Sequence, residues 1–297
     1  MNHAVGESVQ AVQVIPTRHI SEASLILHRF RRNRLAVAGA VALTVFIILA
    51  LLAPYVAPKD PLAADLSINL TPPSEGYPLG TDELGRDILS RIIYGARISL
   101  AVGLVSVGIA AIIGVPLGAA SSYRGGWVDN LVMRSMDILL SFPSILLAIM
   151  VVAVLGPGLT NAMIAVGVAL VPVYARLTRG TVLYIKELDF VEAARMAGAR
   201  ESRILFRHIM PNCLAPIIVQ STLNIASAIL SAAALGFLGL GAQPPTPEWG
   251  VMLSKGRIYL RVAPHVSIFP GIAIMLTVLA FNLVGDGIRD ALDPRMV

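Results

Sequence analysis

The sequence predicts an all-α integral membrane protein with six transmembrane helices and with both termini in the cytoplasm. Three observations support this fold class: the composition, the long apolar runs and the placement of the basic residues. The chain is 56% hydrophobic and only 14% charged, whereas a soluble domain carries about 25% charged residues. A globular core could not bury so much apolar surface, so we expect a lipid bilayer to surround the chain.

The apolar runs supply six predicted spans. A helix needs roughly 20 apolar residues to cross a bilayer, because each residue advances it by about 1.5 Å. The uncharged run 138–175 is too long for one span, and we expect the Gly-Pro-Gly sequence at 156–158 to divide it. The predicted spans are residues 35–57, 98–123, 138–155, 160–178, 213–241 and 266–285.

The basic residues predict the orientation of these spans. If the termini are cytoplasmic, most of the 23 Lys and Arg residues lie on the cytoplasmic side, as the positive-inside rule requires. Residues 1–34 lack the pattern of a cleavable signal and are expected to form a cytoplasmic tail. Within that tail, the amphipathic segment 20–30 is interpreted as an interfacial helix rather than as a partner-recognition element. The longest extracytoplasmic segment is then 58–97.

The sequence contains no motif that indicates catalysis, cofactor binding or a metal site. A phosphate-binding loop of the form G-x-x-x-x-G-K-S/T does not occur, so we do not expect this chain to hydrolyse ATP by that route. The five His residues are scattered, and Cys213 is interpreted as a small apolar residue rather than a catalytic thiol. The net charge of +5 comes from basic residues on the predicted cytoplasmic side, and it does not indicate a nucleic-acid partner.

The predicted spans carry no charged residue at mid-membrane depth. Ion-coupled carriers keep acids or bases there as relays, so the sequence favours a transporter that depends on partners over a self-contained channel or carrier. A membrane-embedded enzyme is also a weaker alternative, because the spans contain no catalytic pair. Arg134 and Asp137 are three residues apart at a predicted cytoplasmic mouth, where we expect them to form a local ion pair.

A polar stretch, residues 189–212, separates the fourth and fifth spans. Asp189 and Glu192 have the spacing of a capping box, so a short helix is expected to begin at Asp189. Gly198 is placed to end that helix, because glycine adopts the left-handed conformation readily. We expect a second helix at 201–208, followed by Pro211 at the start of the next span. The stretch therefore predicts a protruding helix–turn–helix on the cytoplasmic side.

The segment VEAARMAGARESRILFRHIMPN resembles the cytoplasmic EAA loop of importer-type ABC permeases. His208 and Met210 depart from the pattern of that loop but disturb neither of its turns. The residues taken as the ATPase-coupling site are Glu192, Ala193, Ala194, Gly198, Arg200 and Pro211, all of which except Arg200 match the pattern in identity and spacing. Segments 79–100, 136–149, 233–253 and 281–294 are similar to the C-type permease subunit of the dipeptide/oligopeptide importers.

This resemblance covers most of the chain and implies a type I ABC importer permease fold, with a transport domain at 94–290 and a coupling loop at 186–211. It implies a bacterial cytoplasmic (inner) membrane location within the lipid bilayer. It also implies a heterodimer with a second permease, two cytoplasmic ATPases and an extracytoplasmic binding protein. ATP and Mg²⁺ would be held by the ATPases, and the loop would dock into an ATPase groove.

The implied function is uptake of dipeptides or oligopeptides by alternating access. The family also includes permeases for glutathione, nickel chelates and other small solutes, which remain the alternatives. Transport without any partner would instead favour the channel or carrier.

Residues 242–250, AQPPTPEWG, are expected to form a stiff extracytoplasmic turn after the fifth span, because three of them are proline. Trp249 suits a membrane–water interface, so one interpretation is an interfacial anchor. The alternative is that Glu248 and Trp249 form part of the outer gate or contact the binding protein.

Overall fold

The computed structural model describes residues 22–292, and these residues are mostly α-helical. Most of the predicted cytoplasmic tail, residues 1–21, lies outside the described residues, and the membrane location of the first helix stays a prediction. The helices in chain order are α1 (Glu22–Arg32), α2 (Arg34–Leu51), α3 (Ala53–Val56), α4 (Ile88–Arg124), α5 (Gly126–Leu140), α6 (Ser144–Leu155), α7 (Leu159–Lys186), α8 (Asp189–Met196), α9 (Glu201–Arg203), α10 (Met210–Phe237), α11 (Trp249–Gly256) and α12 (His265–Leu292). A π-helical segment at Ile204–Ile209 and 3-10 turns at Leu66–Ile68 and Arg257–Tyr259 are also present.

Within residues 22–292, five helical stretches are long and apolar enough to cross a membrane: α2, α4, α7, α12 and the continuous run Glu201–Phe237. Helices α5 and α6 make a sixth candidate only as a pair, because they are bent by 94° at the break between them. Pro143 stands at this break, and proline both lacks a backbone N–H and disfavours a helical conformation in the residue before it. The structure therefore replaces the straight helix expected at 138–155 by a bent pair.

Helices α4 and α7 extend beyond the predicted spans at their polar ends, whereas α2 ends at Leu51 and α10 at Phe237, before the predicted ends at 57 and 241. Helix α4 begins at Ile88 rather than at residue 98, because the Asp87 carboxylate accepts a hydrogen bond of 2.8 Å from the Ser90 backbone N–H and caps the helix. Helix α7 continues to Lys186 rather than ending at residue 178. The apolar runs indicate where lipid is expected, whereas the polar flanks decide where each helix ends.

Helices α4 and α7 form the central pair of the bundle, and α10 packs against both, while α12 packs against α2 and α10. Small residues bring α4 and α7 together. A Cβ atom at Gly118 of α4 would lie 2.2 Å from the Ala175 backbone oxygen of α7, and one at Gly114 would lie 2.6 Å from the Tyr174 Cβ. The two backbones therefore approach closely only because these positions carry no side chain.

The two ends of the bundle gather different parts of the chain. At one end, the Asn33 side-chain amide donates to the Asp290 carboxylate at 3.3 Å, which joins the start of α2 to the last turns of α12. The described chain therefore begins and ends on the same side of the bundle. At the opposite end lie segment 57–87, which precedes α4, and segment 238–264, which connects α10 to α12. We call these two segments the cap.

A buried charged cluster fastens the cap to α4. Arg86 Nε lies 2.7 Å from Asp82 Oδ2, and Arg91 Nε lies 3.4 Å from the same oxygen. Arg91 also donates a hydrogen bond of 2.9 Å to the Pro61 backbone oxygen. Asp82, Arg86 and Arg91 are each no more than 6% exposed. Arg86 also lies 3.4 Å from Glu83 Oε1, so two carboxylates balance the two arginines and the cluster can remain away from water.

Candidate functional site

The polar stretch after α7 folds into a compact projection, residues 187–209, which we call the tip. It consists of α8, a turn, α9 and the π-helical segment. Val191 on α8 is completely buried, so it attaches this short helix to the bundle. Glu192, Ala193 and Met196 lie on the exposed side of the same helix. Helix α8 therefore presents one face to the bundle and the other to solvent or to a partner.

The start of α8 differs from the prediction in its capping. The helix begins at Asp189 as expected, but its N-cap residue is Leu188, and no side chain caps it. Asp189 and Glu192 instead lie in the first turn, where a carboxylate interacts favourably with the positive end of the helix dipole. The capping-box prediction was therefore wrong.

The end of α8 agrees with the prediction. Gly198 has a φ of +77°, a left-handed conformation that glycine adopts without steric penalty. Its N–H donates to the Arg195 oxygen at 3.0 Å, and the Ala199 N–H donates to the Ala194 oxygen at 3.1 Å. These two bonds make a Schellman motif, so Gly198 reverses the chain and sets the direction of α9.

The return helix continues into the next span, contrary to the prediction. A separate helix at 201–208 and a new start at Pro211 were expected, but α9, the π-helical segment and α10 form one run. The Met210 N–H bonds to the Leu205 oxygen five residues earlier, immediately before Pro211, which has no N–H to donate. A π turn is a recognised way for a helix to absorb such a disruption. The tip is therefore joined to α10 by a continuous helical run.

The exposed surface of the tip combines apolar side chains with charged side chains of both signs. Phe190, Met196 and Phe206 are 43%, 84% and 72% exposed. Leaving large apolar side chains in water is unfavourable, so this surface is suited to burial against another protein. The same segment carries four arginines, Arg195, Arg200, Arg203 and Arg207, and four exposed acids, Glu187, Asp189, Glu192 and Glu201. These charges balance, so a partner can form ion pairs of either sign with the tip.

The structure brings the predicted coupling residues together at one place. Glu192, Ala193 and Ala194 lie on α8, and Gly198 and Arg200 lie in the turn that follows it. Pro211 lies two residues beyond the tip, at the start of α10. Their role in coupling stays a prediction. Among residues 22–292, no group of three or more His, Cys, Asp or Glu side chains is arranged to hold a metal ion.

Glu248, predicted at an outer gate or a binding-protein contact, is buried in the cap. It is 4% exposed, and its carboxylate accepts hydrogen bonds of 2.9 and 2.8 Å from the Gly250 and Val251 N–H groups. Glu248 is therefore the N-cap residue of α11. Burial raises the pKa of Glu248, and the two backbone hydrogen bonds oppose that shift.

Trp249, the second residue predicted at the gate, connects three helices. Its side chain is completely buried, and its Nε1 donates to the Ile92 oxygen of α4 at 3.1 Å. The ring also packs edge-on against Phe46 of α2, with 6.2 Å between the ring centroids. An interfacial anchor would expose its ring, whereas Trp249 holds α11 against α2 and α4. Its role in gating or in contacting a binding protein stays a prediction.

Two ion pairs join α5 to α7, and the sequence indicated neither of them. Asp129 accepts two hydrogen bonds of 2.6 Å from Arg179, and an Asp137 oxygen lies 2.5 Å from Arg176. The local pair predicted between Arg134 and Asp137 was therefore wrong. Asp129 and Arg179 are 50 residues apart in the sequence, and Asp137 and Arg176 are 39 residues apart. The three- or four-residue spacing of neighbours on one helix therefore could not predict either pair.

Two family profiles match the chain. Residues 110–297 match the family described as "Binding-protein-dependent transport system inner membrane component". Residues 21–73 match the family described as "N-terminal TM domain of oligopeptide transport permease C". Together the two matches cover most of the chain.

Named relatives are similar over nearly the same length. The dipeptide transport system permease protein DppC of Alkalihalophilus pseudofirmus is 51% identical over 90% of this chain and 88% of that protein. The di/tripeptide transport system permease protein DppC of Pseudomonas aeruginosa is 52% identical over 90% of each chain. The glutathione transport system permease protein GsiD of Escherichia coli is 51% identical over 90% of this chain and 89% of that protein.

Solved structures of the MetNI methionine ABC transporter in inward-facing conformations share the fold. A chain of one crystal form superposes with a TM-score of 0.55 at 22% identity, over 68% of this chain and 96% of that chain. A chain of a second crystal form gives a TM-score of 0.57 at 21% identity, over 69% and 98%. At this level of identity the likeness concerns the fold alone.

Proposed function

Because the chain belongs to the family of inner membrane components of binding-protein-dependent transport systems, we propose that it is the permease subunit of an ABC importer. The proposed solute is a dipeptide or a short oligopeptide, which this subunit moves across the bacterial cytoplasmic membrane. The energy comes from ATP hydrolysis in separate partner subunits. The chain itself contributes a path through the membrane and a surface that receives the movement of those partners.

The tip is the observation that carries this proposal. It projects from the spans, exposes Met196 and Phe206, and continues through one helical run into the fifth span. A soluble ATPase that covers these side chains would gain apolar contacts, and its movement would act on α10 directly. Gly198 holds the direction of α8 relative to this run.

The proposed topology has both termini and the tip in the cytoplasm and the cap outside. The contact between Asn33 and Asp290 supports termini on one side, since an even number of spans returns the chain to its starting side. The basic residues of the tip support a cytoplasmic position under the positive-inside rule.

The proposed assembly contains a second related permease, two ATPases and an extracytoplasmic binding protein. The family's description, a component of a binding-protein-dependent system, supports the binding protein as a partner. The paired charges of the cap hold segment 57–87 and α4 in a fixed arrangement. Such an arrangement is suited to receive a loaded binding protein.

A second solute is favoured by one specific observation. The glutathione permease of Escherichia coli is as similar to this chain as the dipeptide permease of Alkalihalophilus pseudofirmus. Glutathione is itself a small peptide, so the two solutes share an amide backbone and a terminal carboxylate. The binding protein that delivers the solute mostly determines which of the two solutes is transported.

Reconstitution into proteoliposomes tests the proposal. The chain is incorporated alone, with its permease and ATPase partners, and with the binding protein added, and uptake of labelled dipeptide and of labelled glutathione is measured. We expect ATP-dependent uptake only in the complete assembly, with one of the two solutes preferred. Uptake by the chain alone, without ATP, would favour a channel or carrier and refute the proposal.

A further inference from the structure

A contact between α4 and the tip lies outside the predicted coupling residues. The Tyr123 hydroxyl, near the end of α4, lies 2.8 Å from the Glu201 backbone oxygen at the start of α9. The same hydroxyl donates a short hydrogen bond to the Glu201 carboxylate. The two residues are 78 positions apart in the sequence, so this contact connects two regions that the chain does not connect locally.

Two further charged groups surround this hydrogen bond. Arg195, on α8, lies with its Nε 3.5 Å from Glu201 Oε1. The ammonium group of Lys186, at the end of α7, lies 5.7 Å from the centre of the Tyr123 ring, within the range of a cation–π interaction. The hydroxyl of Tyr123 therefore lies where α4, α7, α8 and α9 meet.

We propose that Tyr123 is a positioning residue that fixes the tip relative to α4 and thereby transmits tip movement to that helix. The inference rests on the proposed function, since the tip moves only if a partner ATPase moves it. The run Glu201–Phe237 already offers one connection from the tip to the spans. Tyr123 supplies a second connection, to the central helix pair, through a side chain rather than through the backbone.

The far end of α4 shows where this second connection leads. Helix α4 has 37 residues, so it is about 55 Å long at about 1.5 Å per residue. Its opposite end carries Arg91, which binds the cap through Asp82 and Pro61, and the Ile92 oxygen, which accepts the Trp249 hydrogen bond. A tilt of α4 imposed at Tyr123 would therefore move the cap as one rigid unit, without changing its internal contacts.

A single exposed polar contact contributes little to stability, so the test must measure coupling rather than unfolding. Tyr123→Phe removes the hydroxyl and keeps the ring. Tyr184→Phe is the matched control, because Tyr184 lies near the end of α7 and is 69% exposed. Both variants are made in the complete transporter. The first readout is the number of ATP molecules hydrolysed per solute taken up.

We expect Tyr123→Phe to raise that ratio by up to about fivefold, the largest factor by which the loss of an exposed polar pair shifts an equilibrium. Tyr184→Phe should leave it unchanged. Glu201→Gln should also raise the ratio, because it weakens the hydrogen bond from Tyr123 and removes the charge that pairs with Arg195. Adding Tyr123→Phe to Glu201→Gln should raise the ratio by less than Tyr123→Phe does alone, because the two changes share one interaction. An unchanged ratio in Tyr123→Phe, or fully additive effects, would overturn the inference.

A distance measurement separates positioning from other effects. Spin labels at position 124 and at position 202, an exposed site of α9, in a Cys213→Ala background, report the distance between the end of α4 and the tip in the assembled transporter. Tyr123→Phe should broaden this distance distribution, whereas Tyr184→Phe should not. If the parent transporter takes up neither solute, the proposed function fails, but this distance still reports on Tyr123. If the parent transports and both distributions match the parent, only the role of Tyr123 fails.

Discussion

The cap and the tip lie at opposite ends of the bundle and are built in opposite ways. In the cap, Asp82 and Arg91 are buried and paired, and Trp249 is enclosed by three helices. In the tip, Met196 and Phe206 are exposed, and α8 is anchored by one buried side chain, that of Val191. Polar groups that are satisfied internally resist rearrangement, whereas exposed apolar groups gain by contacting another protein. The contrast indicates one fixed end and one docking end.

The largest difference between the two ends should appear when an arginine is removed. Arg91→Ala would leave Asp82 with one arginine fewer and the Pro61 oxygen without its donor. Arg86 still pairs with Asp82, so the expected cost, about 1–3 kcal/mol, is that of leaving a buried acceptor without its donor. Arg176→Ala, in which the arginine pairs with Asp137 at an exposed site, should cost less than about 1 kcal/mol.

Thermal unfolding of the purified assembly in detergent measures both variants. A lower midpoint for Arg91→Ala, with little change for Arg176→Ala, is the expected result. Equal midpoints for the two variants would contradict the assignment of a fixed structure to the cap.

A smaller effect is expected at the turn of the tip. Gly198→Ala places a side chain at a φ of +77°, which costs about 1–2 kcal/mol for an L-residue. Gly180→Ala is the control, because a Cβ there meets no heavy atom within 4 Å and its φ is not positive. We expect Gly198→Ala to insert into the membrane normally but to lose much of the substrate-stimulated ATPase activity. Normal stimulation in Gly198→Ala would argue against the turn as part of the coupling surface.

The smallest effect on stability should come from the exposed surface of α8. Met196→Ser should change the unfolding free energy by less than about 0.5 kcal/mol, since exposed substitutions are usually neutral. It should nevertheless weaken binding of the ATPase, because Met196 would be buried there. Ile258→Ser, a 73% exposed residue of the cap, is the control. ATPase binding is measured by co-purification at limiting ATPase concentration. If the two variants bind the ATPase equally well, Met196 is not part of the docking surface.

The two ends also differ in how far the sequence predicted them. At the tip, the start of α8 and the turn at Gly198 followed from short-range rules, because a glycine at a helix end acts within a few residues. The capping of α8 by Asp189 was wrong, because the same spacing also suits two acids in a first helical turn. The uninterrupted run through Pro211 was missed, because the π segment that accommodates proline has no sequence signature.

In the cap and between the spans, the sequence predicted less. The motif around Asp82 and Arg91 was visible in the sequence, but the pairing of these residues depends on the folded turn between them. Trp249 fitted an interfacial anchor by residue type, and its burial depends on α2 and α4, which are distant in the chain. Tyr123 and Glu201 are likewise 78 residues apart in the sequence, so no rule based on local spacing could predict their contact. Residue type and spacing thus predicted five of the six long helices and the turns at Gly156 and Gly198, whereas tertiary packing decided the partners.

Accessibility of single cysteines tests the central claim, that the tip is the cytoplasmic docking surface for the ATPases. Met196→Cys and, for the cap, Glu75→Cys are made in a Cys213→Ala background, and an impermeant thiol reagent is applied to intact cells and to inside-out vesicles. We predict that position 196 reacts only in inside-out vesicles and that added ATPase subunits protect it, while position 75 reacts only from outside. Labelling of position 196 in intact cells, or labelling that saturating ATPase leaves unchanged, would contradict the account.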